Sequence, residues 1–328
     1  MKAAVIRAFP RVHVALTDMG RATRRAFGGI GFSYKGPETT WRVKDSSRFE
    51  LSGLDLLDVA AQQDVCEVAE VARKRMLVRP VQASLRTISR QHCGYGTKTA
   101  VLLGLLAALR NFSDRHASDL EIIELSRRGG ASGIGIHAFF HGGVIWDGGH
   151  ASETVSELMP SSYRRGDPAA PPLLARWPFP TNWKVFDLHP SGEGLFGPME
   201  AEFFLRNAPI PRHEALESLG ILCHAVIPAF AIADLDLLRL SLRDLAHVGF
   251  KRIEITARGQ LIAAALAELS DCGLIAAGMS STGPMMYAIV NGQDMDAFSA
   301  LQQIASRYRL ALRGPYNPCN HGHLIEWD

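Results

Sequence analysis

Two closely spaced glycines precede a long apolar segment in Gln91–Arg110, QHCGYGTKTAVLLGLLAALR. Gly94 and Gly96 favour a tight loop because glycine enters left-handed conformations freely, and the apolar Ala100–Leu109 predicts a buried helix. A helix start is an anion site, since it combines unpaired N–H groups with the positive end of the dipole. The stretch predicts a phosphate-binding loop, and a tight turn capping a core helix remains the alternative. The residues predicted to bind phosphate here are Gly94, Tyr95, Gly96, Thr97, Lys98 and Thr99.

Two further loops are rich in small residues. Ser126–Gly135 contains several glycines beside a pair of arginines, which indicates backbone that approaches a ligand closely. Gly278–Pro284 is rich in hydroxyl groups and lies between two predicted strands, so a hairpin turn is the alternative there. Both loops add candidate ligand contacts, namely Ser132, Gly133, Ser280, Ser281, Thr282 and Gly283.

The composition is that of an ordinary globular protein. The 328 residues are 47% hydrophobic and 21% charged, and the formal net charge of +2 gives no global field that favours nucleic acid or an anionic membrane. The five cysteines are scattered without metal-knuckle spacing, which predicts reduced thiols and a cytoplasmic location. The N-terminus lacks a continuous apolar signal core, and the apolar run Ala225–Ala233 is too short to span a bilayer.

Periodicity predicts strands interleaved with helices without regular βαβ spacing, which indicates an α+β fold. The proline-rich stretch Ser152–Pro180 is the candidate boundary between two halves, and an ordered linker is favoured over a lid. Predicted strands are Ala3–Ile6, Val12–Leu16, Trp41–Val43, Phe49–Leu51, Val81–Thr87, a pair at His137–His141 and Gly143–Trp146, Trp183–Leu188, Leu274–Ala277, Tyr287–Val290 and Leu310–Arg313. Predicted helices are Leu54–Met76, the segment after Gly96, Leu120–Leu125, Arg212–Ile227, Leu235–His247, Gln260–Asp271 and Met295–Tyr308.

Three loops in one order resemble the motifs of the GHMP small-molecule kinase superfamily. Pro10–His13 leading to Gly28-Gly29 resembles the first motif, His92–Thr99 the phosphate loop, and Gly278–Gly283 the third motif. The resemblance covers essentially the whole chain. It implies a two-domain α+β fold, with a ribosomal S5-like N-terminal domain at residues 1–165 and a ferredoxin-like C-terminal domain at residues 166–328.

Within that superfamily the chain resembles the β-ribofuranosylaminobenzene 5′-phosphate synthases. That family transfers ribose 5-phosphate from phosphoribosyl pyrophosphate (PRPP) to a ring carbon of a benzoate, whose carboxylate leaves as carbon dioxide. Related C-nucleoside synthases of the formycin and pyrazofurin type use a pyrazole carboxylate. The segments that carry this resemblance are Arg11–Asp18, Gly28–Gly31, Ser132–Gly135, Gly142-Gly143, Asp147–Gly149, Gly197–Phe204 and Ser280–Pro284.

One departure from the kinases favours the synthase. Many superfamily kinases have an Asp that activates the acceptor hydroxyl at the position of Gly135, and glycine cannot accept a proton. Cys93 and Tyr95 differ from the small residues that are commonest in the synthase loop, which leaves the benzoate or azole acceptor open. An ATP-dependent kinase and a non-catalytic nucleic-acid binder are the alternative functions, and the low net charge argues against the binder.

The resemblance implies a PRPP site with Mg²⁺ as cofactor, an aromatic carboxylic acid as second substrate, and a homodimer. Arginine forks match carboxylates and phosphates, so the predicted clamp is Arg11, Arg24, Arg25, Arg127 and Arg128, with solvated loops and helix-end charges as alternatives. His13 and His92 are candidates for proton transfer, although a lone histidine is often structural. Asp18 is a weak metal candidate, and Glu200 a candidate for orienting ribose hydroxyls; no metal ligand is certain. Cys319–His323 is interpreted as a polar tail rather than a metal tract.

Overall fold

Fourteen strands form three sheets in residues 2–163, 170–191 and 194–328, the residues that the computed structural model describes. The strand orders are β14-β1-β4-β6-β5, β2-β3-β7-β9 with β8 beside β3, and β11-β12-β10-β13. The strands are β1 (Ala3–Ala8), β2 (Arg11–Asp18), β3 (Arg25–Ser33), β4 (Thr39–Asp45), β5 (Glu50–Ser52), β6 (Val81–Thr87), β7 (Val144–Asp147), β8 (His150–Ala151), β9 (Leu173–Trp177), β10 (Trp183–His189), β11 (Ala276–Met279), β12 (Met286–Asn291), β13 (Ala311–Tyr316) and β14 (Leu324–Trp327).

Helices cover the sheets, and four of them begin at a side-chain cap. Asp58, Ser118, Asp234 and Asp294 accept the N–H of the residue three positions on, which satisfies a donor that a helix start leaves open. The helices are α1 (Val59–Arg75), α2 (Thr97–Arg110), α3 (Asp119–Ser126), α4 (Ile134–His141), α5 (Gly197–Asn207), α6 (Arg212–Ile221), α7 (Ile227–Ala231), α8 (Leu235–Ala246), α9 (Gly249–Thr256), α10 (Gln260–Asp271) and α11 (Met295–Arg307).

Helix α2 is the most deeply buried helix of the first half. Every residue of it except Lys98 and Arg110 is buried, and its Val101 carbonyl accepts a hydrogen bond from Trp41 Nε1 at 2.9 Å. The prediction of a buried helix after the glycine loop is confirmed. A helix held this rigidly fixes the position of its first turn, where the predicted phosphate site lies.

Two strands of the second half pair with sheets of the first half. β9 lies within the proline-rich stretch and pairs with β7, and β14, near the C-terminus, pairs with β1. The boundary predicted between residues 165 and 166 falls outside the described residues. The α+β class is confirmed, because antiparallel pairs dominate each sheet and helices lie between them.

Several sequence predictions require correction. The segment predicted as a strand at His137–His141 belongs to α4, whose first intrahelical bond runs from His137 N–H to the Gly133 carbonyl at 2.9 Å. Helix α5 was not among the predicted helices, although proline is compatible with a first helical turn. Helix α9 and strand β14 were also not predicted.

The predicted helix at Arg212–Ile227 extends further. It continues through a π-helical turn at Leu222–Val226 into α7, so one helical run covers Arg212–Ala231. By length and composition this run is apolar enough to cross a membrane, a test that core helices also pass. Leu222, Val226 and Phe230 are buried in the core beneath the second and third sheets.

Candidate active site

The loop between β6 and α2 folds as the glycine pattern predicts. His92, Gly94 and Gly96 have φ values of 56°, 103° and 76°. Thr97 Oγ1 donates to the Arg90 carbonyl at 3.1 Å, which closes the loop onto the helix. In the described part of the chain, the N–H groups of Gly96, Thr97 and Lys98 have no hydrogen-bond partner, and no side chain caps α2. The first turn of α2 therefore presents open donors at the positive end of its dipole.

Two arginines flank this turn. The guanidinium of Arg11 donates to the Gly94 carbonyl and lies against Gly96, where an added Cβ would come within 3.0 Å of Arg11 Nε. Arg128 Nε donates to Thr99 Oγ1 at 3.1 Å. Burial and the charge of Arg128 lower the pKa of Arg11 to about 10, so Arg11 remains cationic at neutral pH. The turn is thus an anion site with two guanidinium groups beside it.

The loop after β11 ties two parts of the site together. Ser280 Oγ donates to the Gly94 carbonyl at 2.8 Å and accepts the His13 N–H at 3.1 Å, while Ser281 N–H donates to the His13 carbonyl at 3.1 Å. A Cβ at Gly283 would lie 2.6 Å from Gly94 N, so this approach requires glycine. The loop that contains Ser280, Ser281 and Gly283 therefore fixes the position of the phosphate loop relative to β2.

Helix α5 supplies the carboxylate of the site. Thr282 Oγ1 donates to Glu200 Oε1 at 2.6 Å, and Arg11, Arg128 and His92 lie near enough to interact with the Glu200 charge. Burial raises the pKa of Glu200, and the Thr282 hydrogen bond opposes that rise. Glu200 thus places a carboxylate among these cationic groups.

His13 is buried beside the loop after β11, which bonds its backbone. Its Nε2 lies 3.2 Å from Ser132 Oγ, which donates to Asp147 Oδ2 at 2.9 Å. Burial, with the charges of Arg11 and Lys251, holds the pKa of His13 well below its ordinary value. Burial also raises the pKa of Asp147 to about 6, although the carboxylate accepts N–H bonds. Ser132 and Gly133, predicted as ligand contacts, are both engaged by Asp147.

Three predicted clamp residues lie elsewhere. Arg127 is exposed and pairs with Glu67 at 3.0 Å, because its left-handed backbone ends α3 and turns it toward α1. Arg25 donates to the carbonyls of Gly148 and Gly149, so it braces a turn, and Arg24 is exposed. Of the five predicted arginines, the structure brings Arg11 and Arg128 to the loop.

The other predicted polar residues have protein partners. Both carboxylate oxygens of Asp18 accept hydrogen bonds from the turn at Gly20–Thr23, which makes metal binding there unfavourable. Lys98 Nζ forms an ion pair with Asp64 on α1. His92 is exposed, and its Nε2 lies 2.9 Å from Asp58 Oδ2. Lys98 and His92 therefore need to exchange a partner before they contact a ligand.

Tyr95 points away from the cleft. Its hydroxyl donates to Asp187 Oδ2 at 2.8 Å and lies 2.6 Å from His189 Nε2, and the Tyr34 hydroxyl donates to Asp187 Oδ1 at 2.6 Å. The ring is buried in the core between the two halves. The bulk of Tyr95 therefore does not narrow the ligand cleft, and its contribution to the loop is its backbone.

Gly135 lies where α4 meets α2. A Cβ there would approach Thr99 Cγ2 to 3.2 Å, so an acidic side chain would press on the residue that orients Arg128. Within residues 2–163, 170–191 and 194–328, no group of three His, Cys, Asp or Glu side chains is placed to hold a metal. Cys319 Sγ donates to the His321 carbonyl at 3.2 Å in the C-terminal segment.

Sequence reasoning missed Asp147, Asp187 and His189. Asp147 stands before Gly148-Gly149 and looks like a turn residue, whereas it organises the start of α4. Asp187 and His189 alternate with apolar residues along one strand. A charged residue within an apolar strand is the sequence signal that could have identified them.

Relatives of the chain share one name. The chain is 32% identical over 281 residues, 86% of each chain, to the β-ribofuranosylphenol 5′-phosphate synthase of Archaeoglobus fulgidus. The synthase of the same name from Methanothermobacter thermautotrophicus is 26% identical over 313 residues, 94% of each chain. The chain belongs to the β-ribofuranosylphenol 5′-phosphate synthase family. This confirms the resemblance found in the motifs, and no family model matches the chain.

Solved structures confirm the fold. Homoserine kinase from Cytophaga hutchinsonii superposes with a TM-score of 0.70 at 14% identity, covering 99% of this chain and 97% of that one. Phosphomevalonate kinase from Streptococcus pneumoniae gives 0.68 at 10% identity with full coverage of both chains. The expected two-domain GHMP architecture is therefore correct, while these low identities carry no information about the reaction.

Proposed function

We propose that this protein transfers ribose 5-phosphate from PRPP to a ring carbon of an aromatic carboxylic acid, releasing pyrophosphate and carbon dioxide. The proposal rests on the open first turn of α2 between Arg11 and Arg128 in a chain of this synthase family. The relatives are named for a ribosylated phenol, which favours 4-hydroxybenzoate over a pyrazole carboxylate as acceptor. A cytoplasmic homodimer is part of the proposal.

The cleft supplies what a departing pyrophosphate needs. Loss of pyrophosphate leaves positive charge on ribose C1, and donors that are already oriented stabilise the leaving group without reorganisation. The N–H groups of Gly96, Thr97 and Lys98 are those donors, and Arg11 and Arg128 add charge. Lys98 joins them when pyrophosphate draws it from Asp64. Glu200 faces the sugar from the other side and binds its hydroxyl groups.

The residues fit a Mg²⁺ that enters with the substrate. Mg²⁺ retains waters and substrate phosphate oxygens, so one protein carboxylate suffices. Glu200 is the carboxylate that the cleft offers, with one oxygen bound by Thr282. When bound, Mg²⁺ neutralises charge on the pyrophosphate.

The test is a direct assay of the purified protein. PRPP, Mg²⁺ and 4-hydroxybenzoate should give equal amounts of pyrophosphate, carbon dioxide and a ribosylated phenol without ATP. A pyrazole dicarboxylate tested in parallel decides between the two acceptor classes. If no aromatic acid releases pyrophosphate from PRPP, the proposal is wrong.

An ATP-dependent small-molecule kinase is the second candidate, because the open first turn of α2 would also accept the phosphates of ATP. Gly135 argues against it, since glycine offers no carboxylate to act as the base, and an added Cβ would lie only 3.2 Å from Thr99 Cγ2. ADP formation that depends on a hydroxylated metabolite, with PRPP inert, would favour the kinase. A thermal-shift comparison of PRPP with ATP, each with Mg²⁺, is the quickest discrimination.

A further inference from the structure

Three side chains, buried His13 and Asp147 and partly buried Ser132, form a hydrogen-bonded series beside the phosphate loop. His13 Nε2 lies 3.2 Å from Ser132 Oγ, and Ser132 Oγ lies 2.9 Å from Asp147 Oδ2. The three come from β2, the loop before α4, and β7, so the fold brings them together from distant parts of the sequence. Such a series restricts where each proton resides.

The proton of Ser132 points to Asp147. The Asp147 carboxylate also accepts N–H bonds from Gly133 at 3.0 Å and Gly149 at 2.9 Å, which is the pattern of an ionised acceptor. Ser132 Oγ accepts the Ile134 N–H at 3.2 Å with one lone pair. Its remaining lone pair faces His13, so the nitrogen of His13 that faces Ser132 must be the donor.

The other nitrogen of His13 then carries a bare lone pair. A neutral imidazole has one N–H, so Nδ1 carries none when Nε2 is the donor. His13 is 4% exposed, and its Nδ1 is buried with no hydrogen-bond partner among the described residues. A buried acceptor without a partner costs about 1–3 kcal/mol, so its partner is expected to arrive with a ligand.

The charged groups around His13 disfavour its protonation in the free protein. Burial lowers its pKa most, and the charges of Arg11 on β2 and Lys251 on α9 lower it further. Neither bonds the ring, because Arg11 donates to the Gly94 carbonyl and Lys251 donates to the Met279 carbonyl at 3.1 Å and pairs with Glu254 at 2.6 Å. Asp147, through Ser132, is the one acid linked to the ring by hydrogen bonds in the described chain.

We infer that Ser132 and Asp147 are positioning residues that keep the proton of His13 on Nε2, so that Nδ1 accepts the ring-hydroxyl proton of the acceptor. The role of Nδ1 depends on the proposed function, whereas the position of the proton does not. The ligand class is an aromatic acid with a hydroxyl group conjugated to the carbon that attacks ribose.

The step balances without a further reactant. The ring carbon bearing the carboxylate bonds to ribose C1 as the bond from C1 to pyrophosphate breaks, and the pyrophosphate leaves with that electron pair. His13 Nδ1 takes the hydroxyl proton, which leaves a carbonyl-like ring oxygen. The bond to carbon dioxide then breaks, its electrons restore the aromatic ring, and the oxygen recovers the proton from His13.

The first test locates the proton without using activity. Two-bond proton–nitrogen NMR correlations on ¹⁵N-histidine protein identify which ring nitrogen carries hydrogen, and His13→Gln assigns the signal. We expect the Nε2–H form in the wild type and a mixture of tautomers in Ser132→Ala. An Nδ1–H form in the wild type, or an unchanged tautomer in Ser132→Ala, overturns the inference.

The second test varies the acidity of the acceptor. Gln at position 13 retains a donor toward Ser132 and lacks the Nδ1 lone pair, so His13→Gln should lose roughly 100-fold or more in kcat with 4-hydroxybenzoate. With 3,5-difluoro-4-hydroxybenzoate, whose hydroxyl ionises readily, the loss should fall by at least tenfold. His137→Gln, a buried histidine bonded to the Pro171 carbonyl, is the matched control.

The outcomes separate the two proposals. An equal loss with both acceptors would show that His13 acts through structure and would overturn its role as a base. If the wild type uses neither hydroxybenzoate, the proposed function fails, and the NMR result still decides the position of the proton. Melting temperatures of each variant exclude unfolding as the cause of a loss.

Discussion

The Tyr95 hydroxyl donates a hydrogen bond to Asp187 Oδ2 at 2.8 Å, and this contact joins the phosphate loop to β10 of the third sheet. Asp187 also accepts the Tyr34 hydroxyl from the second sheet, and His189 lies 2.6 Å from Tyr95. The network is fully buried, so each member depends on the others for its hydrogen bonds. It fixes the loop from behind while the open N–H groups face the cleft.

Removing the Tyr95 hydroxyl should therefore affect both stability and substrate binding. In Tyr95→Phe, Asp187 and His189 lose a partner in the core, and we expect about 1–3 kcal/mol lower free energy of unfolding. The loop loses its tie to β10, so the KM for PRPP should rise. Tyr308→Phe, which removes a surface hydrogen bond to Glu268 at 2.9 Å, is the control and should change neither quantity substantially. A normal melting temperature in Tyr95→Phe would contradict this role.

Neighbouring arginines provide a matched pair for the anion site. Arg128→Lys keeps the charge and loses the planar fork beside Thr99, so the Kd for PRPP should rise about tenfold or more, which corresponds to about 1.4 kcal/mol. Arg127→Lys alters a surface pair with Glu67 and should leave the Kd within about twofold, since exposed ion pairs contribute little. Calorimetric titration with PRPP and Mg²⁺ measures both. Equal changes in Kd in the two variants would show that Arg128 does not bind PRPP.

The ion pair of Lys98 with Asp64 makes a second binding test possible. If pyrophosphate draws Lys98 from Asp64, Lys98→Ala should weaken PRPP binding, while Asp64→Asn frees the ammonium and should preserve or strengthen it. The melting temperature should fall in both variants, because each breaks a pair at the edge of the core. Unchanged PRPP affinity in Lys98→Ala would show that the lysine only joins α1 to α2.

The sequence predicted the parts of the fold that local patterns encode. Val81–Thr87 alternates and forms β6 with those bounds, and the apolar run after Gly96 forms α2. The glycines at 94 and 96 adopt the left-handed conformations expected of them. These features depend on neighbouring residues, so the sequence is sufficient to find them.

The features that the sequence did not predict depend mostly on contacts between residues far apart in the chain. Three of the predicted ligand residues, Ser132, Ser280 and Gly283, have contacts within the protein that only the folded chain reveals. The short α4 was predicted as a strand because His137–His141 is too brief for its period to be recognised. Asp147 reaches the start of α4 through the pairing of β7 with β3, which no local pattern contains.

The buried histidine of the loop network predicts a pH dependence of stability. Burial and the charges of Arg313 and Arg90 lower the pKa of His189 to about 4. An unfolded histidine titrates near pH ~6.5, so the unfolded state binds the proton first and stability falls as the pH decreases from about 6.5 toward 4. The wild type should therefore lose more stability over this interval than His189→Gln does, by up to ~1.4 kcal/mol per pH unit.

One other group of the network affects the measurement of this slope. Burial raises the pKa of Asp187 to about 6, so its contribution has the opposite sign and increases stability as the pH falls through 6. Because Asp187 is present in both proteins, the difference between wild type and His189→Gln isolates the histidine. His116→Gln, at an exposed site, is the control and should retain the wild-type slope. The free energy of unfolding is measured by urea titration between pH 7 and pH 4.5. If wild type and His189→Gln lose the same amount over this interval, His189 does not resist protonation in the fold.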